Sequence, residues 1–199
     1  GETMETYIAE NSQNGYARTA LYKAFCRLVS WLRSQPFAHG DIKPDNIMVR
    51  PDGSLTLVDY DGMFVPAMKG QKSPTIGTKD FSHPLRNIED FDETIDDFAL
   101  ASMLLSLYAM SKDVSLYDRY GSCGRLLFAN SDYLSPKDSC LMDSLLDSFE
   151  TAFSHSAFLL FVFSCVSTNY NEVLEKFYCV LKLWWGMEIP RYWELCTDD

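Results

Sequence analysis

The sequence predicts a mainly α-helical domain with one small β-hairpin set beside a long loop. Three observations predict it. Apolar residues recur at helical spacing between Ala17 and Arg33, and an almost wholly apolar run covers residues 96–110. Two short apolar runs, 46–49 and 55–60, flank the turn sequence Pro51-Asp52-Gly53-Ser54.

In chain order, residues 1–15 are polar apart from a patch at Tyr7 and Ile8. The first predicted helix buries Leu21, Phe25, Leu28, Val29 and Leu32, with its Lys and Arg residues on the opposite face, and Pro36 ends it. Residues 37–45 read as a loop leading into the hairpin. Residues 61–94 carry Pro and Gly breaks without a sustained period, so they read as a long loop, and loops of that length are usually functional. The run at 96–110 reads as a buried central helix. Residues 111–140 are irregular and Ser-rich, with a helix start at Ser135-Pro136. Helices are expected at 137–150, 155–166 and 171–185. The run Ala157–Val166 is too short to span a bilayer and reads as a buried helix. Trp184, Trp185 and Trp193 are expected to pack inward. No repeat or low-complexity linker divides the chain, so 1–199 reads as a single domain.

Composition narrows the function. Of the 199 residues, 47% are hydrophobic and 23% charged, which suits a soluble globule and excludes disorder. A domain of this size buries roughly 70% of its unfolded surface, so it needs no metal or disulfide to hold a core. The net charge is −11, with a pI near 4.6. Such a surface repels phosphate backbones and anionic lipids, so neither nucleic acid nor a membrane is expected as a partner. The cysteines at 26, 123, 140, 165, 179 and 196 form no C-x-x-C pair and do not cluster with the histidines, so free thiols and a cytoplasmic setting are expected.

Chemistry-bearing residues crowd the ends of the hairpin. The segment Phe37-Ala38-His39-Gly40-Asp41-Ile42-Lys43-Pro44-Asp45-Asn46 enters its first strand, and Asp59-Tyr60-Asp61-Gly62 leaves its second. The hairpin brings Asn46 close to Asp59. Hard oxygen ligands without His or Cys suit Mg²⁺. A cation held this way with an ammonium alongside suits a transferring phosphoryl group.

These residues resemble a known family. His39-Gly40-Asp41-Ile42-Lys43-Pro44-Asp45-Asn46 is similar to the catalytic loop of eukaryotic-type serine/threonine protein kinases. Asp59-Tyr60-Asp61 stands at the place of their Asp-Phe-Gly, 18 residues after Asp41. Gly77-Thr78-Lys79-Asp80-Phe81-Ser82-His83-Pro84-Leu85 resembles the end of their activation segment, and Asp96-Asp97-Phe98-Ala99-Leu100-Ala101 the start of their central helix. The resemblance implies a kinase-like C-lobe without the N-lobe. Within it, 1–16 would be a post-hinge segment, 37–62 the catalytic and metal loops, 59–85 an activation-like segment, 96–110 the central helix and 111–199 a helical remainder. It implies Asp41 as catalytic base, Lys43 on the γ-phosphate, and Asn46 and Asp59 on Mg²⁺. His39, Thr78 and Asp96 would support the loop. ATP would be the donor and a Ser or Thr hydroxyl of a protein the acceptor.

Four departures stand out. Gly40 replaces the family's Arg, which removes the charge that reads a phosphorylated loop. Asp61 replaces Gly, as a turn residue or an extra carboxylate beside the metal. Leu85 replaces the Glu of a late ion pair. No G-x-G-x-x-G occurs in the 199 residues, and Lys23 alone among lysines precedes the catalytic loop. An N-lobe supplied in cis or in trans is therefore expected, with little activity from the chain alone. Ser73 and Thr75 read as solvated loop residues. Two other readings stay open: a small-molecule kinase of the aminoglycoside or choline type, suggested by His39-Gly40-Asp41, and a pseudokinase or scaffold module.

Overall fold

A computed structural model describes residues 1–186, 188–191 and 194. The hairpin forms from strands β2 (Ile47–Val49) and β3 (Leu55–Leu57), with Ile47 opposite Leu57 and Val49 opposite Leu55. Its turn closes as the sequence predicts: Asp52 Oδ1 accepts from the Ser54 N–H and hydroxyl, and Gly53 takes φ +79°. A third strand was not expected. β1 (Glu2–Thr3) pairs antiparallel with β2, giving the order β1-β2-β3. Thr3 then caps helix α1 (Met4–Glu10), its Oγ1 accepting from the Thr6 N–H at 3.2 Å. Met4 and Ile8 are fully buried, so the polar opening is a strand and a helix that close the sheet's end.

Helix α2 (Gly15–Arg33) starts on an Asn14 cap and buries the expected apolar stripe. Its basic residues do not all face outward. Lys23 and Arg27 do, but Arg18 and Arg33 are buried. Arg18 donates to the carbonyls of Asn11 and Ser12, just past the end of α1. Arg33 lies 3.6 Å over the Tyr178 ring.

Helix α3 (Asp97–Lys112) is buried almost all round, as an apolar run without a polar face requires. Its two inner serines are satisfied: Ser102 bonds the Tyr133 hydroxyl at 2.7 Å, and Ser106 donates to the Ser102 carbonyl. The stretch read as irregular holds two short helices, α4 (Ser115–Tyr120) and α5 (Asn130–Leu134). A single 3₁₀ turn at Pro136–Asp138 precedes α6 (Cys140–Leu146), shorter than expected. Helices α7 (Ala152–Val166) and α8 (Tyr170–Trp185) pack against each other and complete the core.

Helix α7 is only half buried, against expectation. Phe158, Phe161 and Cys165 face the core, while Phe153, Leu159, Phe163 and Val166 are exposed. Trp184 and Trp185 are half-buried, and Trp185 Nε1 donates to the Tyr22 hydroxyl. Trp193 and Cys196 lie outside the described residues. Among the described residues no helix is long and apolar enough to cross a membrane.

The long loop is ordered by a small core of its own. Ala38 and Phe64 exchange backbone hydrogen bonds at 3.1 and 2.9 Å, and Phe64 packs edge-on to Phe91 beside Ile95. This second core fixes residues 61–94 against the catalytic-loop-like segment.

Candidate active site

Asp41 is the centre of the site. Its carboxylate meets the Lys43 ammonium at 2.8 Å and accepts from the Thr78 N–H at 2.9 Å and the Thr78 hydroxyl at 3.0 Å. Lys43 Nζ also reaches Thr78 Oγ1 at 3.3 Å, so three side chains close a ring. Asn46, buried at the end of the Pro44–Asn46 3₁₀ turn, donates from Nδ2 to the Asp41 carbonyl at 2.9 Å and to Oδ2 at 3.3 Å. Asp41 and Lys43 keep 19% and 24% of their side-chain surface open, so a reactant can reach them. Burial works to raise the Asp41 pKa, but Lys43 and the two Thr78 donors outweigh it and hold the carboxyl below its ordinary value.

Two residues brace this segment. His39 is buried, accepts from the Asp41 N–H at Nδ1 and donates from Nε2 to the Val58 carbonyl at 2.9 Å, which assigns its neutral tautomer. It thereby ties the loop to the strand that leads into Asp59, and its ring packs 5.1 Å from that of Tyr60. Asp96, just before α3, accepts the His39 N–H at 2.5 Å and the Gly40 N–H at 2.8 Å. Burial pushes the Asp96 pKa up, while those two donors and Arg86 oppose it.

Asp59 is exposed and adopts φ +65°, the one positive φ of a non-glycine residue among those described. Backbone strain of this kind collects at functional sites, held by the surrounding structure. The neighbouring Val58 N–H donates to the Asn46 carbonyl at 3.0 Å, so the two strand ends stay together. Asp61 is exposed in a tight turn closed by the Met63 N–H on the Tyr60 carbonyl.

Comparison with known proteins points the same way over part of the chain. No family model matches it. Sperm motility kinase 2A of Mus musculus is 39% identical over 66 residues, which is 33% of this chain and 13% of the relative. Serine/threonine-protein kinase WNG1 of Toxoplasma gondii is 36% identical over 77 residues, 38% of this chain and 12% of the relative. Maternal embryonic leucine zipper kinase of Xenopus laevis is 28% identical over 60 residues. The chain is serine/threonine protein kinase-like. The matches span about an eighth of the length of the first of these relatives.

The donor set of the kinase-like chain fits Mg²⁺. Asn46 commits its NH₂ to Asp41, which leaves the amide oxygen as its ligand atom, and Asp59 adds an exposed carboxylate. Mg²⁺ is commonly held by one or two carboxylates plus substrate phosphates.

Gly40 is a glycine by necessity. It takes φ +89°, and a Cβ there would lie 2.0 Å from the Gly62 carbonyl oxygen. The cation missing from Gly40 has a neighbour that the sequence did not reveal. Arg86, in the long loop just past the Gly77–Leu85 stretch, donates to the Gly40 carbonyl at 3.2 Å. Burial lowers its pKa, with Asp96 and Asp41 opposing. Leu85 is half exposed. Ser73 is not solvated as expected: it is buried and donates to the Thr75 carbonyl at 2.6 Å.

A second charged cluster was also missed. Arg33 pairs with Asp97 at 3.1 Å and with Glu175 at 2.7 Å. Arg191 pairs with the same two carboxylates. Arg33, Asp97 and Arg191 are almost wholly buried. No local pattern marks them, because the partners are separated by sixteen residues or more.

Proposed function

We propose that this chain is the large lobe of a serine/threonine protein kinase-like phosphotransferase that moves the ATP γ-phosphoryl to a hydroxyl. The observation that carries the reading is the Asp41 carboxylate, held by Lys43 and Thr78 yet open to a reactant. In this reading Asp41 accepts the proton of the substrate hydroxyl as its oxygen attacks the γ-phosphorus and the bond to the ADP oxygen breaks. Lys43 places a point charge beside the transferring group, and Thr78 fixes both side chains. Asn46 and Asp59 would hold Mg²⁺, which when bound neutralises phosphate charge. His39 and Asp96 orient the loop without touching the reactants. Asp61 is a turn residue that adds negative charge near Asp59.

A clamp for the nucleotide phosphates has to come from polypeptide outside these 199 residues, in cis or in trans. The 199-residue chain alone therefore binds Mg-ATP weakly and turns over little, in a cytoplasmic setting. A micromolar dissociation constant for Mg-ATP on these residues, measured by calorimetry, would overturn that part of the reading. The reaction itself is tested by transfer of labelled γ-phosphate to Ser/Thr peptides by a form that carries the clamp. Transfer that persists undiminished in Asp41→Asn refutes the assigned base. His39-Gly40-Asp41 also favours a second reading, a small-molecule phosphotransferase, which transfer to amino alcohols but not to peptides would establish.

A further inference from the structure

The long loop and the start of α5 line a cleft of about 210 Å³ beside the segment that carries Asp41. Its lining holds two cations, Lys79 and Arg86, and no Asp or Glu, on a chain whose net charge is −11. The polar groups left over in it are donors. Ser82 spends its hydroxyl proton on the Ile76 carbonyl at 2.7 Å, and both ring nitrogens of His83 are engaged. The Lys79 ammonium and the Asn130 side-chain amide have no partner among the described residues. Arg86 gives one N–H to the Gly40 carbonyl, while its Nε is buried and unbonded and it forms no ion pair with a described carboxylate. Most of the donor fork of that guanidinium is therefore unspent. The carboxylates whose charge reaches it are Asp96, Asp41 and Asp90. Each already accepts from other donors: Asp96 from the His39 and Gly40 N–H groups, Asp41 from Lys43 and Thr78, and Asp90 from Asn87.

Both cations stand one residue away from Asp41 or its partner. Lys79 follows Thr78, which donates to Asp41, and Arg86 donates to Gly40, which precedes Asp41. We propose that this cleft receives an anionic side chain of the peptide whose hydroxyl sits at Asp41, an Asp, a Glu or a phosphorylated residue. At about 3.3 Å per residue of extended chain, that residue lies about one to three positions from the acceptor. The inference rests on the phosphotransfer reading and names its substrate class. A carboxylate or phosphate takes charge-assisted bonds from Arg86 and Lys79, and the Asn130 amide adds a neutral donor. A basic side chain meets two like charges instead, and a neutral one leaves the donors unpaired.

Ser peptides that carry a single Asp, or a single Lys, at each of the three positions on either side of the acceptor test it. Transfer is followed with a form that carries the nucleotide clamp, and binding of the labelled peptides to the 199-residue chain by fluorescence anisotropy. At one position Asp should lower KM about tenfold or more relative to Lys, with kcat little changed. Phosphoserine at that position should bind the chain at least as tightly as Asp. Lys79→Glu should erase the preference in both assays, and Lys79 is exposed, so this variant does not strain the core. Arg86→Gln should weaken the preference too; because Arg86 also holds Gly40, its thermal midpoint is read alongside, and Lys79→Glu does not depend on it. Equal KM and equal binding for Asp and Lys peptides at every position, or a preference that survives Lys79→Glu, overturns the proposal. Asp-selective binding to the chain with no transfer to any peptide would instead refute the phosphotransfer reading and keep the anion-binding cleft.

Discussion

Two charged clusters meet at the start of α3, held by adjacent carboxylates. Asp96 holds the backbone of the segment that presents Asp41 and Lys43, whereas Asp97 holds Arg33 and Arg191. The first cluster is open, with about a fifth of each charged side chain exposed. The second is sealed, with Arg33, Asp97 and Arg191 each 2–3% exposed. Their chemistry is alike, and exposure separates them. An ion pair that solvent can reach contributes little to stability but can give up its partner to a reactant. A sealed pair cannot be reached, and removing one member strands a buried charge. Neighbouring residues of one sequence motif thus serve the candidate site and the buried core respectively.

The largest effect expected from this contrast is kinetic. Asp41→Asn, in a form that carries the nucleotide clamp, should lower kcat by roughly 10²–10⁴, the range of general-base contributions. Nucleotide affinity should stay nearly constant, because in the proposed reading Asp41 acts on the hydroxyl. The thermal midpoint should move by no more than a few degrees, since the Lys43 pair is partly exposed. Asp59→Asn should instead weaken Mg-ATP binding. If Asp41→Asn unfolds the protein, the open cluster is structural after all.

The mirror experiment removes Asp97. Asp97→Ala takes from Arg33 and Arg191 the buried carboxylate they share and leaves the more exposed Glu175 paired with both. A loss of about 3–5 kcal/mol is expected from breaking a buried pair. At about 2–4 °C per kcal/mol for a chain of this size, the midpoint should fall by roughly 6–20 °C. Activity per folded molecule should change only a few-fold, because Asp96 still holds the loop. A variant of normal stability and no activity would reverse the assignment of the two clusters.

Glycines sharpen the same division. Gly40 and Gly53 both have positive φ, but a Cβ at Gly53 meets nothing within 4 Å, whereas one at Gly40 strikes the Gly62 carbonyl. Gly53→Ala should cost about 1 kcal/mol, the backbone penalty alone. Gly40→Ala should cost clearly more and should lower activity too, because the loop must move to relieve the clash. Denaturant titrations of the two variants side by side check the order. Equal losses would mean that the loop yields freely.

The catalytic-loop segment, the hairpin and the central helix were legible because their signals are local: turn residues, a continuous apolar run, and motif spacing. What escaped depends on distant partners. β1 is two residues long and pairs with Val49 and Met48, more than forty positions away, so no local period announces it. Arg33 sits in a helix whose Lys23 and Arg27 face solvent, and its burial is made tolerable by Asp97, Glu175 and the Tyr178 ring, all more than sixty positions away. Arg86 follows an unremarkable Pro84-Leu85 and acquires meaning only where the segment folds back onto Gly40. The exposed face of α7 was hidden by the reverse problem: its apolar run carries no polar stripe to say which side is open.

The smallest expected effect concerns His83, a polar residue that joins the activation-like segment to the sealed end of the molecule. It is buried, stacks on Tyr170 with centroids 3.6 Å apart, and bonds the Ser164 carbonyl through Nε2 at 2.9 Å. Nδ1 accepts from the Leu85 N–H at 3.1 Å, so the ring is neutral and a second proton would break that bond. Burial lowers its pKa, with the Ser164 carbonyl and Asp90 opposing. The sign follows. As pH falls through 6.5, the ordinary value, the unfolded chain takes up a proton that the folded chain refuses. The stability that His83 supplies is therefore complete above that pH and is lost as pH falls toward the lower folded value. His83→Gln keeps a neutral donor and acceptor but cannot titrate. Its midpoint should lie below the wild type at pH 7.5, for want of the Tyr170 stack, and should decline less than the wild type between pH 7.5 and 5. Parallel declines would show that the folded chain takes up the proton on His83 as readily as the unfolded one, and that the Leu85 N–H bond does not hold the segment in place.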